Sequence, residues 1–131
     1  MLSAEDENHL KGLGLPFEVS SEGNMIDLVI CGYELPEGYA PQRVDLLLRL
    51  PAGFPDAAPD MFWTEPVVTF ADGSAPPATG DRLQLGGRVW QRWSRHLDQA
   101  WRPGIDNLQT YLRLIRTDLE AGVPAEIGQA A

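Results

Sequence analysis

Leu50-Pro-Ala-Gly-Phe-Pro-Asp-Ala-Ala-Pro-Asp-Met-Phe-Trp63 is the stretch on which the fold turns. Pro51, Pro55 and Pro59 recur every four residues, with Phe54 and Phe62 between and after them. Proline fixes φ and carries no N–H, so such a link can skirt the edge of a sheet without orphaning donors. On its N-terminal side lies Arg43–Leu50, where Val44, Leu46, Leu48 and Leu50 alternate with Arg43, Asp45, Leu47 and Arg49. A period of two with one mostly polar face predicts a half-buried strand. A further strand is expected near Met61–Thr64.

Working outward, Phe17–Ser20 reads as a strand, Glu22-Gly23-Asn24 as a turn, and Met25–Leu35 as a longer strand ended by Pro36-Glu37-Gly38. The first dozen residues predict a short helix with Ser3 as N-cap and Asp6 three positions on, stopped by Gly12 and Gly14. Pro66–Gly87 is expected as a long loop, with Gly86-Gly87 as a turn. Ile105–Leu119 predicts an amphipathic helix whose Ile105, Leu108, Leu112, Ile115 and Leu119 share one face. Gly122 and Pro124 end it. Together these elements predict an α+β domain, residues 1–122: an antiparallel β-meander between a short N-terminal helix and a C-terminal amphipathic helix. Residues 123–131 are expected as a mobile tail. Val44, Leu46, Leu48, Ile105, Leu108, Leu112 and Ile115 are the expected core.

Composition narrows the function. The chain has 131 residues, 44% hydrophobic and 22% charged, enough for one core without disulfides. A net charge of −9 argues against a nucleic-acid partner, which needs clustered Lys and Arg. Lys11 is the only lysine, but Arg82, Arg88, Arg92, Arg95 and Arg102 fall close together. That run reads either as a solvated surface or as a dock for a carboxylate-bearing protein. Cys31, the single cysteine, cannot form an internal disulfide, and its strand position predicts a small buried hydrophobe with an inert, protonated thiol. No Cys/His cluster has zinc spacing, and Asp56, Asp60 and Asp72 form no metal-ligand pattern, so no metal or cofactor is expected. The acidic N-terminus resembles neither a secretory signal nor a mitochondrial presequence, and no apolar run is long enough to span a bilayer. A cytoplasmic protein with no membrane partner is expected.

The proline run resembles the edge of the ubiquitin-conjugating (UBC) fold, where a strand ends in a turn of the kind FPxxYPxxPPxxxF. A second resemblance is Trp101-Arg-Pro-Gly-Ile105, similar to the tryptophan–x–proline segment that begins the helix after the active site in that fold. With the tryptophan-rich Trp90-Gln-Arg-Trp-Ser-Arg-His96, these motifs resemble the prokaryotic ubiquitin-conjugating-like family E over roughly Leu2 to Ala121. The resemblance implies a UBC-like fold, and an activating enzyme and a ubiquitin-like protein as partners.

The usual catalytic apparatus is missing. In the usual ubiquitin-conjugating enzyme a His-Pro-Asn triplet precedes the catalytic cysteine, about eight residues before the tryptophan; here that count reaches Trp93, followed by Ser94, and the triplet is absent. Ser94 and His96 are the only closely spaced nucleophile and base. A serine hydroxyl needs a neighbouring base to take its proton, and a near-neutral imidazole suits that task. Arg92, Arg95 and Arg102, with Trp93 and Trp101, are the candidate binding residues around them. The same residues also read as a turn serine and a structural histidine, with Trp63, Trp90, Trp93 and Trp101 in one aromatic cluster. Two functions therefore stay open. One is acyl transfer of an activated ubiquitin-like protein, through a serine oxyester. The other is a non-catalytic adaptor that docks the activating enzyme or the ubiquitin-like protein. An unrelated small hydrolase is weaker, for no Gly-x-Ser-x-Gly elbow is present.

Overall fold

A computed structural model describes residues 2–128. The first helix, α1 (Ala4–Gly12), begins where expected: the Ser3 side chain accepts a 3.1 Å bond from the Asp6 amide. Five strands follow before the long connection: β1 (Phe17–Glu22), β2 (Met25–Glu34), β3 (Tyr39–Ala40), β4 (Arg43–Leu50) and β5 (Phe62–Glu65). The expected loop of residues 66–87 contains two short strands, β6 (Thr69–Phe70) and β7 (Arg82–Leu85). Gly86 and Gly87, both at positive φ, turn β7 into β8 (Arg88–Trp93). Such a two-residue hairpin needs left-handed backbone at both positions, which glycine supplies without strain. Two helices close the chain, α2 (Leu108–Gly122) and the short α3 (Ala125–Gly128).

Six strands make one antiparallel sheet in the order β1-β2-β4-β5-β8-β7, and β3 pairs with β6 apart from it. The α+β meander is as expected, extended by a β7–β8 hairpin that the glycine-rich sequence concealed. One face packs on α2, whose Leu108, Tyr111, Ile115 and Leu119 are buried with Leu28, Ile30, Leu46, Leu48, Phe62 and Trp93. Val44, Leu46, Leu48, Leu108, Leu112 and Ile115 are all in that core. Ile105 is not: it is 64% exposed. The helix begins later than its apolar spacing suggested, because Asn107 and Thr110 form a reciprocal capping box. Ile105 is left on the preceding turn, its amide bonded to the Arg102 carbonyl. Helix α1 adds to the boundary: Asp6 accepts from the Leu108 amide at 3.2 Å, and Glu5 from the Asn107 side chain at 2.8 Å.

The other sheet face departs from expectation as well. By alternation Leu47 shares a face with Arg43, Asp45 and Arg49, yet it is fully buried. It pairs across strands with Val29 and Trp63, and a second cluster of Leu47, Trp63 and Trp90 forms there. The Arg88 guanidinium lies over the Trp90 ring at 4.3 Å and bonds Asp45 and Glu65. Among the described residues, aromatic bulk and a paired cation thus cover this face without a helix. The four tryptophans accordingly form no single cluster. Trp63 and Trp90 lie on this face, Trp93 in the main core, and Trp101 against Phe54 and Tyr111. Of the expected tail, Val123 and Ile127 pack against the core, and residues 129–131 lie outside the described ones.

A buried polar chain fixes the long connection to β8. Trp93 Nε1 donates to Thr64 Oγ1 (2.8 Å), and Thr64 donates to Gln91 Oε1 (3.0 Å). Gln91 also bonds both the amide (2.7 Å) and the carbonyl (3.1 Å) of Val68. Gln91→Leu keeps the volume but strands two buried backbone groups. It should cost about 2–6 kcal/mol, given roughly 1–3 kcal/mol for each unsatisfied group. Urea denaturation is the check, and a loss below about 1 kcal/mol would show that water replaces the glutamine.

Candidate functional site

The proline link and the Trp101–Ile105 segment, far apart in sequence, are laced together. Trp101 Nε1 donates to the Pro55 carbonyl at 2.8 Å, and the Gly104 amide to Asp56 Oδ1 at 3.0 Å. Phe54 packs against the Trp101 ring at 6.2 Å. Arg102 bonds Asp106 at 2.9 Å from its guanidinium and 2.8 Å from its amide, which holds the Asp106 carboxyl below the usual carboxylate range. The loop before α2 is thus a stitched turn, and the irregular segment 94–98 runs into it from the end of β8 through a turn closed by the Trp101 amide on the Asp98 carbonyl.

Ser94 follows the last residue of β8. Its amide donates to the Ala78 carbonyl (3.1 Å), and its Oγ accepts from Arg92 Nε (3.2 Å). Residues two apart on a strand share a side, so Arg92 and Ser94 meet naturally. Arg92 is held in turn by an ion pair with Asp81. Arg95 Nε bonds Asp118 on α2 (2.9 Å), its Nη1 donates to the Pro77 carbonyl (2.8 Å), and its guanidinium lies 5.2 Å from the Trp93 ring centre. Trp93 is fully buried, stacked on Phe62 with ring centres 5.2 Å apart.

His96 points outward, its side chain 70% exposed. Its Nδ1 is 3.5 Å from Asp60 Oδ2, at ion-pair distance. Among the described residues no hydrogen bond joins Ser94 to His96. The serine is therefore set among arginines, and the histidine against a carboxylate. No motif marks Asp60, Asp81 or Asp118, because each is distant along the chain from the residue it serves. The arginine cluster, read as a possible free basic dock, is largely neutralised: Arg88, Arg92, Arg95 and Arg102 each hold an acidic partner.

Two residues at this site carry backbone that glycine usually occupies. Met61 has φ 64° and Ala78 has φ 56°. Met61 follows Asp60, and its carbonyl accepts a 2.7 Å bond from the buried Tyr111 hydroxyl. Ala78 is the residue whose carbonyl receives the Ser94 amide. Left-handed non-glycine residues persist only where their surroundings over-determine them, and they concentrate at functional sites.

The sequence matches the prokaryotic E2 family E over residues 2–122. The chain belongs to that family. The sheet-and-helix arrangement is consistent with its UBC-like fold, and membership connects the chain with ubiquitin-like conjugation. No curated protein and no solved structure matches the chain. Cys31 lies more than sixty residues before Ser94 along the chain. It lies on β2, half-buried rather than fully buried, beside Asp45 and Glu18. Burial, reinforced by those carboxylates, pushes its thiol above the ordinary value, which keeps it protonated at neutral pH. Among the described residues no group of three or more His, Cys, Asp or Glu side chains is placed to hold a metal, and no helix is long and apolar enough to cross a membrane.

Proposed function

We propose that this E2-like chain accepts an activated ubiquitin-like protein on Ser94 as an oxyester and passes it to an amine. The observation that carries the reading is the hydrogen bond from Arg92 Nε to Ser94 Oγ at the end of β8, just before the Trp101 turn. A guanidinium on the hydroxyl stabilises negative charge as the oxygen attacks. The donor is the C-terminal thioester of the ubiquitin-like protein on its activating enzyme. Ser94 Oγ forms a bond to the acyl carbon, the carbon–sulfur bond breaks, and the hydroxyl proton passes through His96 to the departing thiolate. In the second step an amine of the target attacks the ester. The carbon–nitrogen bond forms, the carbon–Oγ bond breaks, and the proton lost by the amine returns to Ser94. The Ser94–His96 contact forms when the donor docks, as catalytic hydrogen bonds often tighten only in the reacting complex.

The non-catalytic adaptor remains the second reading, favoured by the missing Ser94–His96 hydrogen bond. On that reading the surface around Arg92, Arg95, Trp101 and Arg102 docks the activating enzyme or its cargo. One incubation separates the two: the chain with activating enzyme, ATP and ubiquitin-like protein. An oxyester adduct should appear, survive mild thiol treatment and be lost in hydroxylamine or alkali. Cys31→Ala should leave it intact, and peptide mapping should place it on Ser94. Binding without any adduct would establish the adaptor instead.

A further inference from the structure

We propose that Asp60 is a positioning residue for His96, holding the imidazole with its proton on Nδ1 and Nε2 directed outward as the proton acceptor. The adduct arm of the test rests on the oxyester reading above; the spectroscopic arm does not. Three features of the placement of Asp60 carry this role.

The first is the approach of Oδ2 to His96 Nδ1 at 3.5 Å. The pair stands at ion-pair distance without a hydrogen bond; a carboxylate can only accept, so a neutral imidazole that closes on it presents N–H at that nitrogen, which leaves the other as the base. The second is Asp60 Oδ1, which is buried and has no hydrogen-bond partner. That oxygen is closed to solvent, so the carboxylate's open side is the one that faces His96. A buried acceptor without a partner is rare enough to need a reason. The third is the bracing of the segment. Met61 is held at φ 64° while the Tyr111 hydroxyl grips its carbonyl, and Trp101 and Gly104 bond the link at Pro55 and Asp56. An ordinary exposed ion pair lies on mobile side chains and contributes little. Here the acidic partner is set on backbone anchored at both sides, which is what orienting a catalytic imidazole requires.

The test uses the full chain, ¹⁵N-labelled, with the His96 ring signals assigned by their loss in His96→Ala. In the wild type the neutral ring should read mainly as the Nδ1–H form, and Asp60→Asn should shift it toward Nε2–H. The same tautomer balance in both proteins would overturn the proposal. Should Asp60→Asn lose the native amide fingerprint, Asp60→Ser is read in its place. In single-turnover adduct formation, Asp60→Asn should slow the reaction roughly tenfold, part of the 10²–10⁴-fold that a positioned base supplies. The double variant Asp60→Asn/His96→Ala should be no slower than His96→Ala alone. A wild-type rate for Asp60→Asn, or a further loss in the double variant, would refute action through His96. If the wild type forms no adduct, the oxyester reading falls and the ring signals alone decide the role of Asp60.

Discussion

Trp93→Ala should cost this domain about 3–5 kcal/mol, the range for truncating a fully buried large aromatic. The ring is wholly inaccessible, stacks on Phe62, and meets Tyr39 edge-on with centres 5.9 Å apart. Its Nε1 donates to Thr64 Oγ1, so truncation also opens the chain of bonds running through Gln91 to Val68. Small domains have only about 5–15 kcal/mol of stability, so a loss of this size threatens folding at 37 °C. Trp93→Phe should cost less, keeping the stack while losing the N–H. The measurement is urea denaturation of both variants against wild type. A Trp93→Ala loss under about 1 kcal/mol would mean that the surroundings collapse into the space, contrary to a rigid anchor beneath Ser94. The residue is structural, yet its neighbour is the candidate nucleophile. The strand's alternation sends Trp93 into the core while Arg92 and Ser94 share the other side.

The same alternation explains what could be read in the sequence and what could not. Strand β4 was legible because Val44, Leu46, Leu48 and Leu50 keep a strict period of two, and its bounds came out at Arg43–Leu50. The burial of Leu47 was not legible. It depends on Trp63 and Trp90 arriving from strands formed later in the chain, one of them behind a glycine-rich stretch that looks like loop. Ile105 has helical spacing relative to Leu108 and Leu112, but local capping chemistry at Asn107 overrides periodicity and excludes it. At the site, the residues whose chemistry is intrinsic stood out: a serine and a histidine near a tryptophan-rich turn. Their partners did not, since Asp60, Asp81 and Asp118 are ordinary carboxylates until the sheet and α2 bring them to the arginines and the imidazole.

Ser94→Ala should abolish the covalent adduct while leaving the fold unchanged, because the half-buried hydroxyl makes one side-chain bond, to Arg92. The Ser94 amide bond to Ala78 is backbone and survives the substitution. His96→Ala should instead slow the adduct by about 10²–10⁴-fold, the contribution of a positioned general base, without changing the residue modified. Ser94→Cys offers the sharper contrast. A thiol is intrinsically more nucleophilic than a hydroxyl and is already partly ionised near neutral pH, so it depends less on a base. That variant should load as a thioester cleaved by thiols, and adding His96→Ala should slow it less than it slows the serine protein. Mass mapping, thiol sensitivity and single-turnover rates test the series together. An adduct on another residue would leave the conjugating role standing and dismiss Ser94. Equal slowing of serine and cysteine proteins by His96→Ala would assign the histidine to docking of the donor, since a base matters most to the nucleophile that cannot ionise unaided.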